Sequence, residues 1–163
     1  VTEDVIAWFD PGLTTGGAVY DITADRFTSG QYSAVLDVTS GQYSYEELGQ
    51  CLADLQYMYE GRLAVGYELY IQTPRPRPGS NAKPSNDAIA VIDQACQQYG
   101  IPQIKGQPSS ARMAGSTTVF LRRLGWYQPG QQHANDAACH LFRHLIRMKP
   151  VPENVRKGLP LGY

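Results

Sequence analysis

The sequence predicts an α/β fold: a five-stranded mixed sheet, three antiparallel strands followed by parallel ones, flanked by helices. Three observations predict it. Apolar, β-rich runs separated by short polar turns fill residues 4–32. The apolar period then lengthens to helical spacing in SYEELGQCLADLQYMY. From there strand-like and helix-like segments alternate to the end of the last helix. That pattern lays helices on the faces of a sheet with parallel members.

The elements follow in order. Residues 4–9 form the first strand and Gly17 to Ile22 the second, with Asp10, Pro11 and Gly12 opening the turn between them. Asp bonds its own backbone, Pro presets φ and Gly tolerates positive φ, so a plain turn accounts for these residues. Thr23-Ala24-Asp25 is a second polar turn, and Arg26 to about Tyr32 is the third strand. Leu48, Leu52, Leu55 and Met58 mark a helix that ends near Glu60-Gly61, with Ser44 and Glu47 in the form of a capping box. LAVGYELY, residues 63–70, is a buried fourth strand. A Pro-rich loop, TPRPRPGSNAKPSND, is too long for a simple connection and is either mobile or functional. Ser85 to Tyr99 is a helix with Ile89, Ile92 and Cys96 on one face, and Gly100 ends it. IPQIKG is a short fifth strand, and Pro108 to Leu124 a helix stopped by Gly125. The last helix runs from about His133 to Met148 on the stripe Ala137, Leu141, Leu145. The tail, PVPENVRKGLPLGY, reads as irregular. The expected organisation is one domain over 1–150 with a tail over 151–163.

Composition narrows the function class. A hydrophobic fraction of 42% and a charged fraction of 18% suit a globular chain with a real core. Lys plus Arg number 14 against 15 Asp plus Glu, so there is no global pull toward nucleic acid or membrane, and any such binding must come from local patches. Cys51, Cys96 and Cys139 have no CxxC spacing and read as small core residues in a reducing compartment. No apolar run has the length of a membrane span. The acidic N-terminus leads straight into a strand and does not read as a signal peptide, so a cytoplasmic location is expected.

Three acids then stand at element ends. Asp10 closes the first strand, Glu68 lies near the end of the fourth, and Asp136 falls in the first turn of the last helix. If the first and fourth strands are parallel neighbours, Asp10 and Glu68 converge at the carboxyl edge of the sheet, where open sheets place ligand sites. Converging carboxylates repel and lose hydration unless a cation or proton neutralises them. Hard divalent ions take such oxygen ligands, and two of them about 3.5–4 Å apart are the usual device for phosphodiester cleavage. His133, three residues before Asp136, shares its face and can ligate metal or move protons. His140 and His144 read as packing or surface residues. Each acid also has a bland reading: a turn aspartate, a strand-edge glutamate, an acid drawn to a helix N-terminus.

In this order the motifs FDPGLTTGGAVYD, LAVGYELY and HANDAA resemble the RuvC-like Holliday junction resolvases of the RNase H-like (retroviral integrase) superfamily. The resemblance runs to about residue 148. It implies an RNase H-like fold and a crossover junction endodeoxyribonuclease that cuts branched DNA, the four-way junction, as a homodimer using Mg²⁺ or Mn²⁺. It implies Asp10, Glu68 and Asp136 as metal-binding catalytic carboxylates, with His133 at a position held by Asp in some members and His in others. It also implies Ser85 to Tyr99 as a dimer face and fits a bacterial or bacteriophage member working in recombination or repair.

The DNA-contacting candidates are Thr14 and Thr15 at the rim of the first turn, Arg75, Arg77 and Lys83 in the Pro-rich loop, and Arg112, which falls where the family carries basic residues. Tyr70 reads as a structural strand-end residue rather than a junction wedge. Three alternatives compete: a nuclease of other specificity on the same fold (flap or RNA hybrid), a non-catalytic DNA-binding module, and a phosphotransferase of the actin and sugar-kinase type. The last rests on a faint likeness of DPGLTTGG to a phosphate loop and lacks the second domain needed to enclose a nucleotide.

Overall fold

The computed structural model describes residues 3–69, 82–109 and 116–160. The chain runs β1 (Val5–Asp10), β2 (Thr14–Asp21), β3 (Arg26–Ser33), β4 (Val35–Asp37), β5 (Gln42–Ser44), α1 (Glu46–Met58), β6 (Leu63–Leu69), α2 (Lys83–Tyr99), β7 (Gln107–Pro108), α3 (Ser116–Leu124), α4 (Gln132–Ile146) and α5 (Glu153–Lys157). The main sheet has five strands in the order β3-β2-β1-β6-β7. β1 pairs antiparallel with β2, and β2 with β3, whereas β1 pairs parallel with β6, and β6 with β7. This is the mixed sheet that the sequence predicts.

Strand alternation divides the core in two. Val5, Ala7 and Phe9 of β1 point, with Leu63 and Val65 of β6, to the face covered by α1 and α2 through Leu48, Leu52, Ile92 and Cys96. Ile6 and Trp8, with Ala64, point to the opposite face, covered by Leu141, Phe142 and Leu145 of α4, with Trp126 and Val155 alongside. A period of two carries this one step further. Asp10 follows Ile6 and Trp8, and Glu68 follows Ala64 and Gly66, so both acids belong to the α4 face. Gly66 is required there, because a Cβ would meet the Trp8 ring at 2.5 Å.

Several expected boundaries shift, each for a local reason. Ser44 does not cap α1: it ends β5, the cap position falls to Tyr45, and no side chain caps the helix. Glu47 instead accepts the backbone N–H of Ser33 at 2.9 Å, which ties α1 to the end of β3. The β4–β5 hairpin was not expected, and it contributes no core residue: Val35, Leu36 and Tyr43 are exposed, so it lacks the alternating burial that marks a strand. The fifth strand falls later than IPQIKG. Gln103 makes only a single bridge to Val65, and the ladder proper joins Gln107 and Pro108 to Glu68 and Leu69. Pro108 therefore belongs to an edge strand, where a missing N–H is tolerated, and does not start α3.

Residues 151–160 are not wholly irregular. Pro152 leads into α5, whose Val155 is fully buried against the α4 layer, with Val151 and Leu159 packed beside it. The four-residue spacing of these apolar residues is helical, a signal masked by the flanking prolines. Among the cysteines only Cys96 is buried, and all three are free thiols. No described helix is long and apolar enough to cross a membrane.

Candidate metal centre

β1 delivers Asp10 and α4 delivers His133 and Asp136. Phe9 and Tyr67 form the last aligned pair of β1 and β6, so Asp10 and Glu68 are the next residue on each of two parallel neighbours. Convergence of the two strand ends, expected from the sequence, follows from this register.

The helix reaches the same point because β2 lets it. Gly16 pairs with Asp10, and a Cβ on Gly16 would overlap the His133 carbonyl. The first turn of α4 thus rests directly on the β2 backbone. Its free N–H groups are met from the sheet: those of His133 and Ala134 donate to Gln31 Oε1 at 3.0 and 3.3 Å. A helix with no cap of its own is capped by a side chain of β3. The preceding loop is pinned by Asn135, which accepts from the Gln128 N–H at 2.9 Å and donates to its carbonyl at 2.8 Å. The helix begins at Gln132, so Asp136 lies one residue further in than expected, where Gln132 Nε2 donates to its Oδ1 at 2.8 Å.

Asp10, His133 and Asp136 come together. One ligand atom from each lies within 4.8 Å of the others, and His133 Nδ1 is 3.2 Å from Asp10 Oδ2. The Asp10 side chain is only 13% exposed, whereas that of His133 is 48% exposed. Burial, and then the negative charge of Glu68, push the Asp10 carboxyl up to about 6; Asp136 adds to this, and the bond to His133 partly offsets it. Burial and the neighbouring acids thus disfavour the charged form of Asp10. Two carboxylates and one imidazole, all converging, form a donor set suited to Mg²⁺ or Mn²⁺.

Glu68 stands beside this group and not within it. Its Oε2 lies 2.7 Å from His140 Nε2, and His140 is fully buried. His140 Nδ1 in turn contacts Gln107 Oε1 at 2.9 Å. Reading His140 as a packing residue missed this contact. The available signal was its position four residues after Asp136 and seven after His133, on one helix face.

The DNA-contacting candidates divide. Thr14 is half-buried at the start of β2, its hydroxyl 3.5 Å from that of Ser33. Thr15 does not reach the rim: it is fully buried, donates to the Gly12 carbonyl at 3.1 Å and accepts the Gly12 N–H at 3.3 Å, closing the turn from inside. Lys83 pairs with Asp87 at 2.8 Å and lines a groove with Tyr43 and Tyr45 beside the hairpin. Arg75, Arg77, Arg112 and Tyr70 lie outside the described residues. The sequence reading passed over Lys105, which joins Arg143 and Arg147 around a cleft beside β7 that also includes Gln107. Among the described residues none of these three cations has an acidic partner, and Arg143 Nε is buried without an acceptor.

No family model and no curated protein matches this sequence. Solved structures do. The chain is similar to Thermus thermophilus RuvC in complex with a Holliday junction substrate, with a TM-score of 0.59 at 17% identity over 83% of this chain and 89% of that one. A second Thermus thermophilus RuvC structure matches with a TM-score of 0.50 at 20% identity over the same shares. The fold is that of the RuvC-like resolvases, as the ordered motifs imply.

Proposed function

We propose that this chain is a divalent-metal-dependent endonuclease for branched DNA, resolving four-way junctions by paired phosphodiester hydrolysis in a homodimer. The observation that carries the reading is the convergence of Asp10, His133 and Asp136, with Glu68 on the adjoining strand end, on a RuvC-like fold. Asp10, Glu68, His133 and Asp136 would hold Mg²⁺ or Mn²⁺, and ions bound there would supply an activated water and neutralise charge at the scissile phosphate.

The chain's own residues orient the reaction. Asp10 and Asp136 present carboxylate oxygens from two elements fixed by backbone packing, at β1 and α4. His133 holds Asp10 through Nδ1 and, being half exposed, can take or give a proton at its ring. The Thr14 hydroxyl stands at the mouth of the first turn, where a sugar-phosphate backbone would pass. Lys105, Arg143 and Arg147 supply local positive charge that the near-neutral chain lacks overall. Arg75, Arg77, Lys83 and Arg112 would extend it, and α2 would form the dimer face.

The test is incubation with labelled four-way junctions and linear duplexes of the same sequence, with Mg²⁺ or Mn²⁺. Paired nicks confined to the junction are expected from the wild-type chain, and none from Asp10→Asn. Undiminished cleavage by Asp10→Asn would overturn the assignment.

A further inference from the structure

His140 is a fully buried polar residue near the site, and the metal group does not use it. Its ring is held on three sides. Nε2 meets Glu68 Oε2 at 2.7 Å, the length of a charge-assisted bond. Nδ1 meets Gln107 Oε1 at 2.9 Å. One face stacks on Trp8, with centroids 6.1 Å apart and planes inclined by 18°. Gln107 is held as well: its Nε2 donates to the His140 carbonyl at 3.3 Å, which turns Oε1 toward Nδ1 and sets the amide. Gln107 is also the ladder partner of Glu68 between β6 and β7. The contacts close a ring through three elements: Glu68 backbone to Gln107, Gln107 side chain to His140, His140 side chain back to the Glu68 carboxylate.

A buried polar triad of this kind costs desolvation that an apolar side chain beside Trp8 would not incur. A positioning role accounts for it. Glu68 is a long side chain at a strand end, and three rotatable bonds must be fixed before its carboxylate holds one position. From these contacts we infer that His140 is a positioning residue for Glu68, and that Gln107 holds His140 in turn. Together they fix the Glu68 carboxylate beside Asp10 before any cation arrives. The inference rests on the reading of Glu68 as a metal ligand, and outer partners of metal ligands commonly change affinity or activity by about 10–100-fold.

The experiment compares wild type, His140→Phe, Gln107→Leu, Glu68→Gln and Glu68→Gln/His140→Phe, each first checked for a cooperative melt. Phe keeps the ring volume and the Trp8 contact but removes both bonds. Mn²⁺ affinity is measured by calorimetry without DNA, and junction cleavage and junction affinity are measured separately. His140→Phe is expected to weaken Mn²⁺ binding and slow cleavage by about 10–100-fold, with junction affinity unchanged. Gln107→Leu is expected to act in the same direction and less, and it decides the matter if His140→Phe does not fold. The double variant is expected to match Glu68→Gln alone, because His140 acts only through that carboxylate. Wild-type Mn²⁺ affinity in folded His140→Phe, or a double variant showing the full product of both losses, overturns the inference and leaves the nuclease reading standing. Absence of both Mn²⁺ binding and cleavage in wild type overturns that reading, and this inference with it.

Discussion

The carboxyl of Asp10 makes the candidate centre a measurable liability when no cation is bound. Its ordinary value of 3.8 rises to about 6 in the folded chain. Below about pH 4 the group is protonated in both folded and unfolded chains and contributes no difference. Between 4 and 6 the unfolded chain loses its proton first, so the folded state loses stability as pH rises. Above about 6 the penalty is complete. At 1.36 kcal/mol per pH unit, a rise from 3.8 to about 6 corresponds to about 3 kcal/mol. Asp10→Asn removes this cost while keeping an oxygen that can accept from His133. In a chain of 163 residues it should raise the melting temperature by about 6–12 °C at pH 7.5 in EDTA, and by little at pH 4. Adding Mn²⁺ should narrow the gap by stabilising wild type only. Thermal melts of both proteins at the two pH values, with and without Mn²⁺, measure all of this. A variant no more stable than wild type at pH 7.5, or a difference that does not change with pH, would refute the electrostatic argument.

Further outcomes follow from the same geometry. Gly16→Ala should cost about 1–3 kcal/mol in urea denaturation and weaken Mn²⁺ binding in calorimetry, because a Cβ there displaces the first turn of α4 from β2. Mn²⁺ affinity of wild type should fall by up to about tenfold per pH unit below 6, since the cation must displace the Asp10 proton, and calorimetry at pH 5 and 7 reads this directly. His133→Ala should slow junction cleavage by about 10²-fold or more while leaving junction affinity within twofold in gel shifts, placing the residue in the chemistry and not in DNA binding. Replacing Lys105 and Arg143 together with Ala should lower the slope of log affinity against log salt by about 2, roughly one per phosphate contact, without changing the cut positions.

How much of this was legible in the sequence depends on which forces set each feature. Apolar, β-rich runs bounded by turn residues are local signals, so β1, β2, β3 and β6 could be read directly, and with them the arrival of Asp10 and Glu68 at one sheet edge. The helical spacing of Ala137, Leu141 and Leu145 likewise set the face of α4, and so the side on which Asp136 lies. What could not be read was tertiary partnership. Glu47 matches a capping box but bonds Ser33, because β5 consumes the Ser44 position. Thr15 reads as a rim hydroxyl but turns inward to Gly12. Gln31 and Gln107, which hold α4 and His140 respectively, are ordinary glutamines in the sequence, and nothing local distinguishes them. α5 was hidden because its burial depends on packing against α4, a tertiary contact with no local signal.

Electrostatics explain why the acids and bases are separated as they are. A net charge of −1 gives the chain no long-range attraction for DNA, and the cluster of Asp10, Asp136 and Glu68 repels phosphate at short range. A backbone phosphate can approach these acids only once their charge is neutralised. Lys105, Arg143 and Arg147, which have no acidic partner among the described residues, lie instead around the cleft beside β7, next to Gln107 and so one ladder step from Glu68. Phosphates away from the cut would be held there whether or not the centre is loaded, while the scissile phosphate would be admitted only with bound cations. In this arrangement strand binding would not depend on metal loading, whereas admission of the scissile phosphate would, through Coulomb terms alone and with no change of conformation needed.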